Sequence, residues 1–459
     1  NSFGEELWVT DGTEEGTHLL KDIYPGPVSS KNLLSTPLKV KASSGLYFFS
    51  ALHPSYGIEL WVSDGTEEGT KVVSDLNQAG KPIEVTQMLS ANEGLFVLGN
   101  NDGFAYPNLF KVTEANELEN ILENENSFHY VRLSNIEELD DEIYFGGVSS
   151  EDGYNTYLND LYKYSQGSVD LVKRLWDGNS NPASLRSIND NLLFATFSDS
   201  GRELWKTNGT AESTVQIKDI AAGQTNALPP FDNNIPLEYL DGKYIFAAND
   251  ITHGNELWAS DLTEEGTVLF ADIESGSPGS DPSDFFKTDT KLFFTALKSG
   301  VRTLMVTDGE GSPISLLDDV SISKFLQAGS TVYFLEEYTQ HYFSLWKTDG
   351  TAEGTMEVLD LGYFYNMQPA VQLDGGLIYV DDYNGTNRYD YYYINNEGEQ
   401  SIFATDQQYY MYNSLARGPY VYYFSNNSLW FTDGKDYNQE IVSIFEEGSL
   451  FAYPAKDLT

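Results

Sequence analysis

The chain of 459 residues contains no cysteine. That removes disulfides, thiolate zinc sites, iron–sulfur clusters and thiol catalysis. Basic residues are scarce: 26 Lys and Arg stand against 70 Asp and Glu, a formal net charge of −44. A surface of that sign repels nucleic acid and anionic lipid, so neither is an expected partner. It suits a cation-rich extracellular setting, with the acids forming a solubilising shell or holding Ca²⁺. No apolar run approaches ~18 residues, so no membrane insertion is expected. No signal peptide opens the chain. Asn1 falls inside a repeat, as expected of a terminus set by processing or proteolysis. Helical patterning is missing too: no stretch keeps a 3.6-residue apolar period over about ten positions.

What the chain does have is one phrase written many times. It reads ELWVTDGTEEGT at Glu6–Thr17, ELWVSDGTEEGT at Glu59–Thr70 and ELWKTNGTAEST at Glu203–Thr214. It returns as ELWASDLTEEGT at Glu256–Thr267 and SLWKTDGTAEGT at Ser344–Thr355. Weaker copies begin at Asn108, Asp160, Thr303 and Ser428, and the most eroded spans Tyr389–Gly398. The residues at the tryptophan position are Trp8, Trp61, Phe110, Tyr162, Trp205, Trp258, Met305, Trp346, Tyr392 and Trp430. They mark about ten units with a mean period of about 47 residues, a length typical of propeller blades.

Each unit contains four strand-like pieces. In the second they are PLKVKA (Pro37–Ala42), GLYFFSAL (Gly45–Leu52), IELWVSD (Ile58–Asp64) and TKVVSDL (Thr70–Leu76). All are short, rich in Val, Tyr, Phe and Thr, and bounded by Gly, Asn, Asp and Ser. The expected fold is therefore all-β: a β-propeller of about ten four-stranded blade-like repeats. One ring is favoured, spanning residues 1–459; two smaller propellers, 1–225 and 226–459, are the alternative. The first unit has only its third and fourth strands. SLFAYPA (Ser449–Ala455) is placed to complete it from the other end of the chain.

The turn has a physical reading. Asp11 and Asp64 accept hydrogen bonds from the backbone two residues on, and Gly12 and Gly65 supply angles that a Cβ forbids. Gly16 and Gly69 end the excursion. The tryptophan is a large flat surface suited to the gap between sheets. A residue that recurs at equal intervals points to architecture, so catalytic groups are sought among the pattern-breakers. Those are Asp152 and Asp160 in Ser149–Asp160, and Asp381 and Asp382 beside Tyr383. His18, His53, His129, His253 and His341 fall in different units without metal-ligand spacing. His253 is expected to make a structural hydrogen bond. For Ca²⁺ the richest loops are 275–284 and 381–390. Tyrosines crowd Arg388–Ile394, Gln407–Asn413 and Pro419–Phe424, where they pack between sheets or offer a binding face. No residue is assigned a catalytic, cofactor-binding or metal-ligating role.

These phrases resemble the bacterial ELWxxDGTxxGT repeat proteins. NDITHGNELW (Asn249–Trp258) and the Lys-Asp-Ile endings at Lys21–Ile23 and Lys218–Ile220 look like the same family. So does DIESGSPGSDPSDF (Asp272–Phe285). The resemblance implies a secreted or cell-surface protein, of a kind found as type IX secretion cargo in Bacteroidetes-like bacteria. It implies non-catalytic binding, adhesion or scaffolding toward a protein or glycan partner, within a larger multi-protein assembly. The alternatives are a propeller glycan-active enzyme, lyase or hydrolase, and a calcium-stabilised spacer.

Overall fold

The computed structural model describes residues 6–9, 13, 16–26, 28, 30, 39–42, 45–73, 84–100, 107–122, 128–131, 135–150, 157–176, 180–229 and 235–363. It further describes 370–373, 376–382, 389–407, 412–417, 420–425, 428–432 and 438–443. Among these residues there is no helix, and the strands form ten antiparallel sheets that follow one another along the chain.

The first sheet has two strands, Leu7–Val9 and His18–Lys21. Eight of the remaining nine sheets are meanders in which each strand pairs with the next in sequence. The fifth is typical: Ala183–Ile188, Asn191–Ser198, Gly201–Thr207 and Val215–Gln216. In the fourth, Phe128–Val131 and Glu137–Leu139 share the place of the first strand, both pairing with Glu142–Ser150. The second sheet matches the four expected pieces, at Lys39–Lys41, Tyr47–His53, Gly57–Ser63 and Lys71–Val72. These are propeller-like β repeats. The segment expected to close the array, Ser449–Ala455, lies outside the described residues.

The apolar clusters show how the sheets are joined. Trp61 packs with Phe49 and Ala51 of its own sheet and with Leu7 and Ile23 from the first unit. Trp205 packs against Leu139, Tyr144 and Leu161 of the preceding sheet, and Trp258 against Leu193, Leu204 and Ile217. Phe110, Tyr162 and Met305 hold the same inter-sheet place. Trp346 stacks on Phe334 beside a cluster containing Phe293 and Leu304 of the seventh sheet. The signature aromatics are thus wedges between neighbouring sheets. Burying ~200 Å² of indole at ~25 cal/mol per Å² contributes about 5 kcal/mol per wedge. The cluster around Trp258 also contains Ala221 and Leu237, so it spans residues 225 and 226.

The polar part of the phrase fastens the turn after the third strand. Asp64 Oδ1 accepts from Thr66 N at 2.9 Å and Thr66 Oγ1 at 2.7 Å. Asp261 and Asp349 repeat the pattern. Gly65 and Gly350 sit at φ 91° and 89°. Leu262 replaces that glycine yet keeps φ at 69°, and its side chain is buried beside Trp258. A buried hydroxyl pair closes the turn: Ser63–Thr70 at 2.7 Å, Thr207–Thr214 at 2.8 Å and Ser260–Thr267 at 2.7 Å. The second glycine has a sharper reason than the end of a turn. A Cβ at Gly69 would lie 1.9 Å from Asp64 Oδ1. The copy that carries Ser213 there also carries Asn208 in place of Asp, and Ser213 Oγ accepts from Asn208 N at 3.0 Å. Asp11 and Gly12 lie outside the described residues.

Lysines staple one unit to the next. Lys21 Nζ donates to the carbonyls of Glu67 and Thr70, at 3.2 and 2.6 Å. Lys218 Nζ donates likewise to Glu264 and Thr267, at 3.1 and 2.8 Å. Such charge-assisted bonds stabilise more than neutral ones.

Candidate functional site

In each meander the hairpin between the second and third strands and the segment after the fourth strand lie at one end of the sheet. The motif turns lie at the other.

The glutamate that opens the repeated phrase works at the first of these ends. Glu203 is fully buried and accepts from Ile220 N at 3.3 Å and Ala221 N at 3.1 Å. Glu6 does the same for Ile23 N and Tyr24 N, both at 3.1 Å. Glu256 binds Ile273 N and Glu274 N at 3.0 Å and Ser280 Oγ at 2.6 Å. The acid ties down the chain as it leaves one sheet for the next. Burial pushes Glu203 up to about 8 against the pull of its backbone donors, and Glu6 to about 7.

Asp160 occupies the equivalent position in the fourth sheet. It accepts from Leu175 N at 3.1 Å and Ser180 Oγ at 3.0 Å, with Arg174 at 3.6 Å. This breaker of the sequence pattern is the shortened form of the repeat glutamate. Its surroundings are those of a structural acid. Asp152 and Tyr383 lie outside the described residues, as do the side chains of Asp381 and Asp382.

The histidines are scattered. His253 pairs with Asp250 at 2.7 Å, which raises its proton affinity, and its backbone N–H donates to Asp250 Oδ1. This is the expected structural bond. His53 stacks on Tyr56 with ring centroids 4.4 Å apart, and its Nδ1 accepts from Ser55 N. His18 is exposed in the first sheet, and the side chain of His129 lies outside the described residues. In the 275–284 loop, Ser280 binds Glu256, and Asp281 accepts from Asn255 Nδ2 at 2.9 Å. Those oxygens serve protein partners. Among the described residues no group of His, Asp and Glu is arranged to hold a metal. Most of 381–390 and of the tyrosine runs beyond 402 lies outside the described side chains. Within Arg388–Ile394, Tyr391 and Tyr393 are buried, and Tyr392 stacks on Tyr379 with centroids 4.9 Å apart. Those tyrosines pack.

The exposed aromatics are elsewhere. In the eighth sheet the second strand, Thr331–Thr339, and the fourth, Met356–Tyr363, run past the usual length. The fourth strand of the second and fifth sheets is only two residues long. At the extended end Tyr342 lies opposite Tyr363 with ring centroids 5.1 Å apart, and Tyr338 is 6.2 Å from Tyr342. His341 meets Tyr363 edge-on at 6.1 Å. Tyr338, Tyr342 and Tyr363 are 48%, 41% and 45% exposed. Tyr338 Oη donates to Asp360 Oδ1 at 3.1 Å. Burial, that bond and the neighbouring negative charge keep the phenol protonated. Sequence reading passed over this group because its tyrosines are dispersed between residues 338 and 363. Only the pairing of strands gathers them. The available signal was YTQHYF, an aromatic hairpin tip where the fifth sheet has Asp199 and Ser200 and the seventh has Ser299 and Gly300.

No protein-family model matches the chain, and no curated protein matches it in sequence. Solved structures do resemble it in outline. One, from a structural and mechanistic study of two prolyl endopeptidases, is 10% identical with a TM-score of 0.42 and covers 86% of this chain and 54% of its own. The computationally designed Ika8 protein is 11% identical with a TM-score of 0.38, covering 82% of this chain and 98% of its own. Prolyl oligopeptidase B from Galerina marginata is 8% identical with a TM-score of 0.39, covering 79% of this chain and 55% of its own. This chain therefore spans about half the length of the peptidases it resembles.

Proposed function

We propose that the chain is a non-catalytic binding and scaffold module, displayed outside the cell as part of a larger surface or secretion assembly. The observation that carries this reading is the exposed tyrosine cluster at the end of the extended eighth sheet. Tyrosine combines a large apolar face with a polar tip, the chemistry of recognition surfaces. The repeat residues, by contrast, are engaged in holding sheets together, and Asp160 shares that work. The resemblance to ELWxxDGTxxGT proteins and the strongly acidic composition support the extracellular setting. We further propose a single ring of about ten blades. Among the described residues, apolar clusters join each sheet to the next from the first to the ninth, including across residues 225 and 226, and this supports one ring over two.

The test is a pull-down from the native cell surface with wild type and the Tyr338→Ala/Tyr342→Ala/Tyr363→Ala variant. Loss of the captured partner, with melting temperature retained, supports the reading. Depolymerisation of a polysaccharide by the purified protein, abolished by one carboxylate substitution, refutes the non-catalytic assignment.

A further inference from the structure

Away from the tyrosine cluster, a cavity of about 340 Å³ lies where the fourth, fifth and sixth sheets meet through their first strands. Its size falls at the small end of ligand pockets, ~300–1,000 Å³. Leu193, Leu204, Ile235 and Leu237 give it an apolar floor. Glu137, on Glu137–Leu139, and Arg186, on Ala183–Ile188, supply charges of opposite sign to the same lining.

Both charged heads are fixed by backbone bonds. Glu137 Oε1 accepts from Ser187 N at 3.1 Å. Arg186 Nη1 donates to the carbonyl of Leu237 on the sixth sheet. Among the described residues, no direct ion pair joins the two. Each therefore keeps hydrogen-bonding capacity: a carboxylate has two oxygens and a guanidinium five N–H donors. Within the lining, the seam between the fourth and fifth sheets is already closed by Asn135, which exchanges bonds with Leu185 N and O at 2.9 and 2.5 Å. At the seam between the third and fourth sheets a neutral side chain does that work. Gln87 bonds Ile136 O and N at 2.9 and 2.8 Å. At both seams a neutral side chain fastens the sheets, and the cavity carries two charges in addition. Burial raises the proton affinity of Glu137 above the ordinary carboxylate range, with Arg186 opposing it. An incoming ammonium group would offset that desolvation.

We propose that this cavity binds a small zwitterion with an apolar body, a short aliphatic peptide with free ends. Its ammonium pairs with Glu137, its carboxylate with Arg186, and its side chains cover the leucine floor. Opposite charges on one ligand satisfy both groups at once, which neither a neutral sugar nor an inorganic ion does. The assignment does not depend on the role proposed for the tyrosine cluster.

The experiment is calorimetric titration of the full chain with Leu-Leu, N-acetyl-Leu-Leu and Leu-Leu amide, against wild type, Glu137→Gln and Arg186→Gln. Glutamine at 137 keeps an acceptor for Ser187 N, and glutamine at 186 keeps a donor for Leu237, so both variants retain the packing bonds. Melting curves check this. Wild type is expected to bind Leu-Leu saturably and to lose about tenfold in affinity for each capped end, the weight of one charged hydrogen bond. Glu137→Gln should remove the penalty for acetylation alone, and Arg186→Gln the penalty for amidation alone. The proposal is overturned if Leu-Leu shows no saturable binding up to about 10 mM. It is equally overturned if the caps make no difference, or if folded Glu137→Gln binds all three ligands as wild type does.

Discussion

Replacing Glu203 by Gln should change how stability depends on pH more than it changes the fold. Glu203 is completely buried within the strand Gly201–Thr207, and its two oxygens hold Ala221 N and Ile220 N at 3.1 and 3.3 Å. Burial outweighs those donors and lifts the group from 4.5 to about 8, with Asp219 adding to the rise. Between those values the folded chain holds a proton that the unfolded chain releases. The derivative of unfolding free energy with pH is then negative, at about 1.4 kcal/mol per pH unit. The stabilisation is fully present below about pH 4.5 and is lost as pH rises toward 8. From pH 4 to pH 7 this one group removes on the order of 3 kcal/mol. The substituted glutamine keeps a carbonyl oxygen for the backbone donors and cannot ionise. Melting temperatures of both proteins from pH 4 to 8.5 provide the assay, read as the difference between them so that the other acids cancel. The variant should gain on wild type by a few degrees across this range. Hydrogen exchange at Ile220 and Ala221 gives a local reading of the same effect. A difference that stays flat with pH would show that the buried acid is ionised throughout, and the argument from desolvation would fail.

Two further outcomes follow from the repeat. Gly69→Ser should cost about 2–3 kcal/mol, because its Cβ collides with the Asp64 carboxylate. Adding Asp64→Asn rebuilds the Asn208–Ser213 arrangement and should restore at least half of that in a thermal melt; an additive double variant counts against the packing explanation. Lys218→Met removes the staple to Glu264 O and Thr267 O. It should cost about 2 kcal/mol and speed amide exchange in the 263–267 turn, whereas unchanged exchange there would mean the staple is idle.

The sequence alone determined the repeating part of this protein. A strand's residues alternate between two faces, so Glu-Leu-Trp followed by Asp-Gly-Thr specifies a buried wedge and a tight turn wherever it is written. The inter-sheet place of Trp61, Trp205 and Trp258 and the Asx turn of Asp64 were legible from that periodicity. The buried role of Glu203 was not, because its partners lie 17 and 18 residues away and only the path of the chain between sheets brings them back. Asp160 begins a weak copy of the phrase, so its place was legible; its partners Leu175 N and Ser180 Oγ, 15 and 20 residues on, were not. The tertiary structure decided what is particular to one location. Strand pairing gathered Tyr338, Tyr342 and Tyr363, and the meeting of three sheets set Glu137 and Arg186 around one cavity. A repeat encodes contacts that recur at a fixed spacing, whereas a site is built from residues whose nearness has no period to betray it.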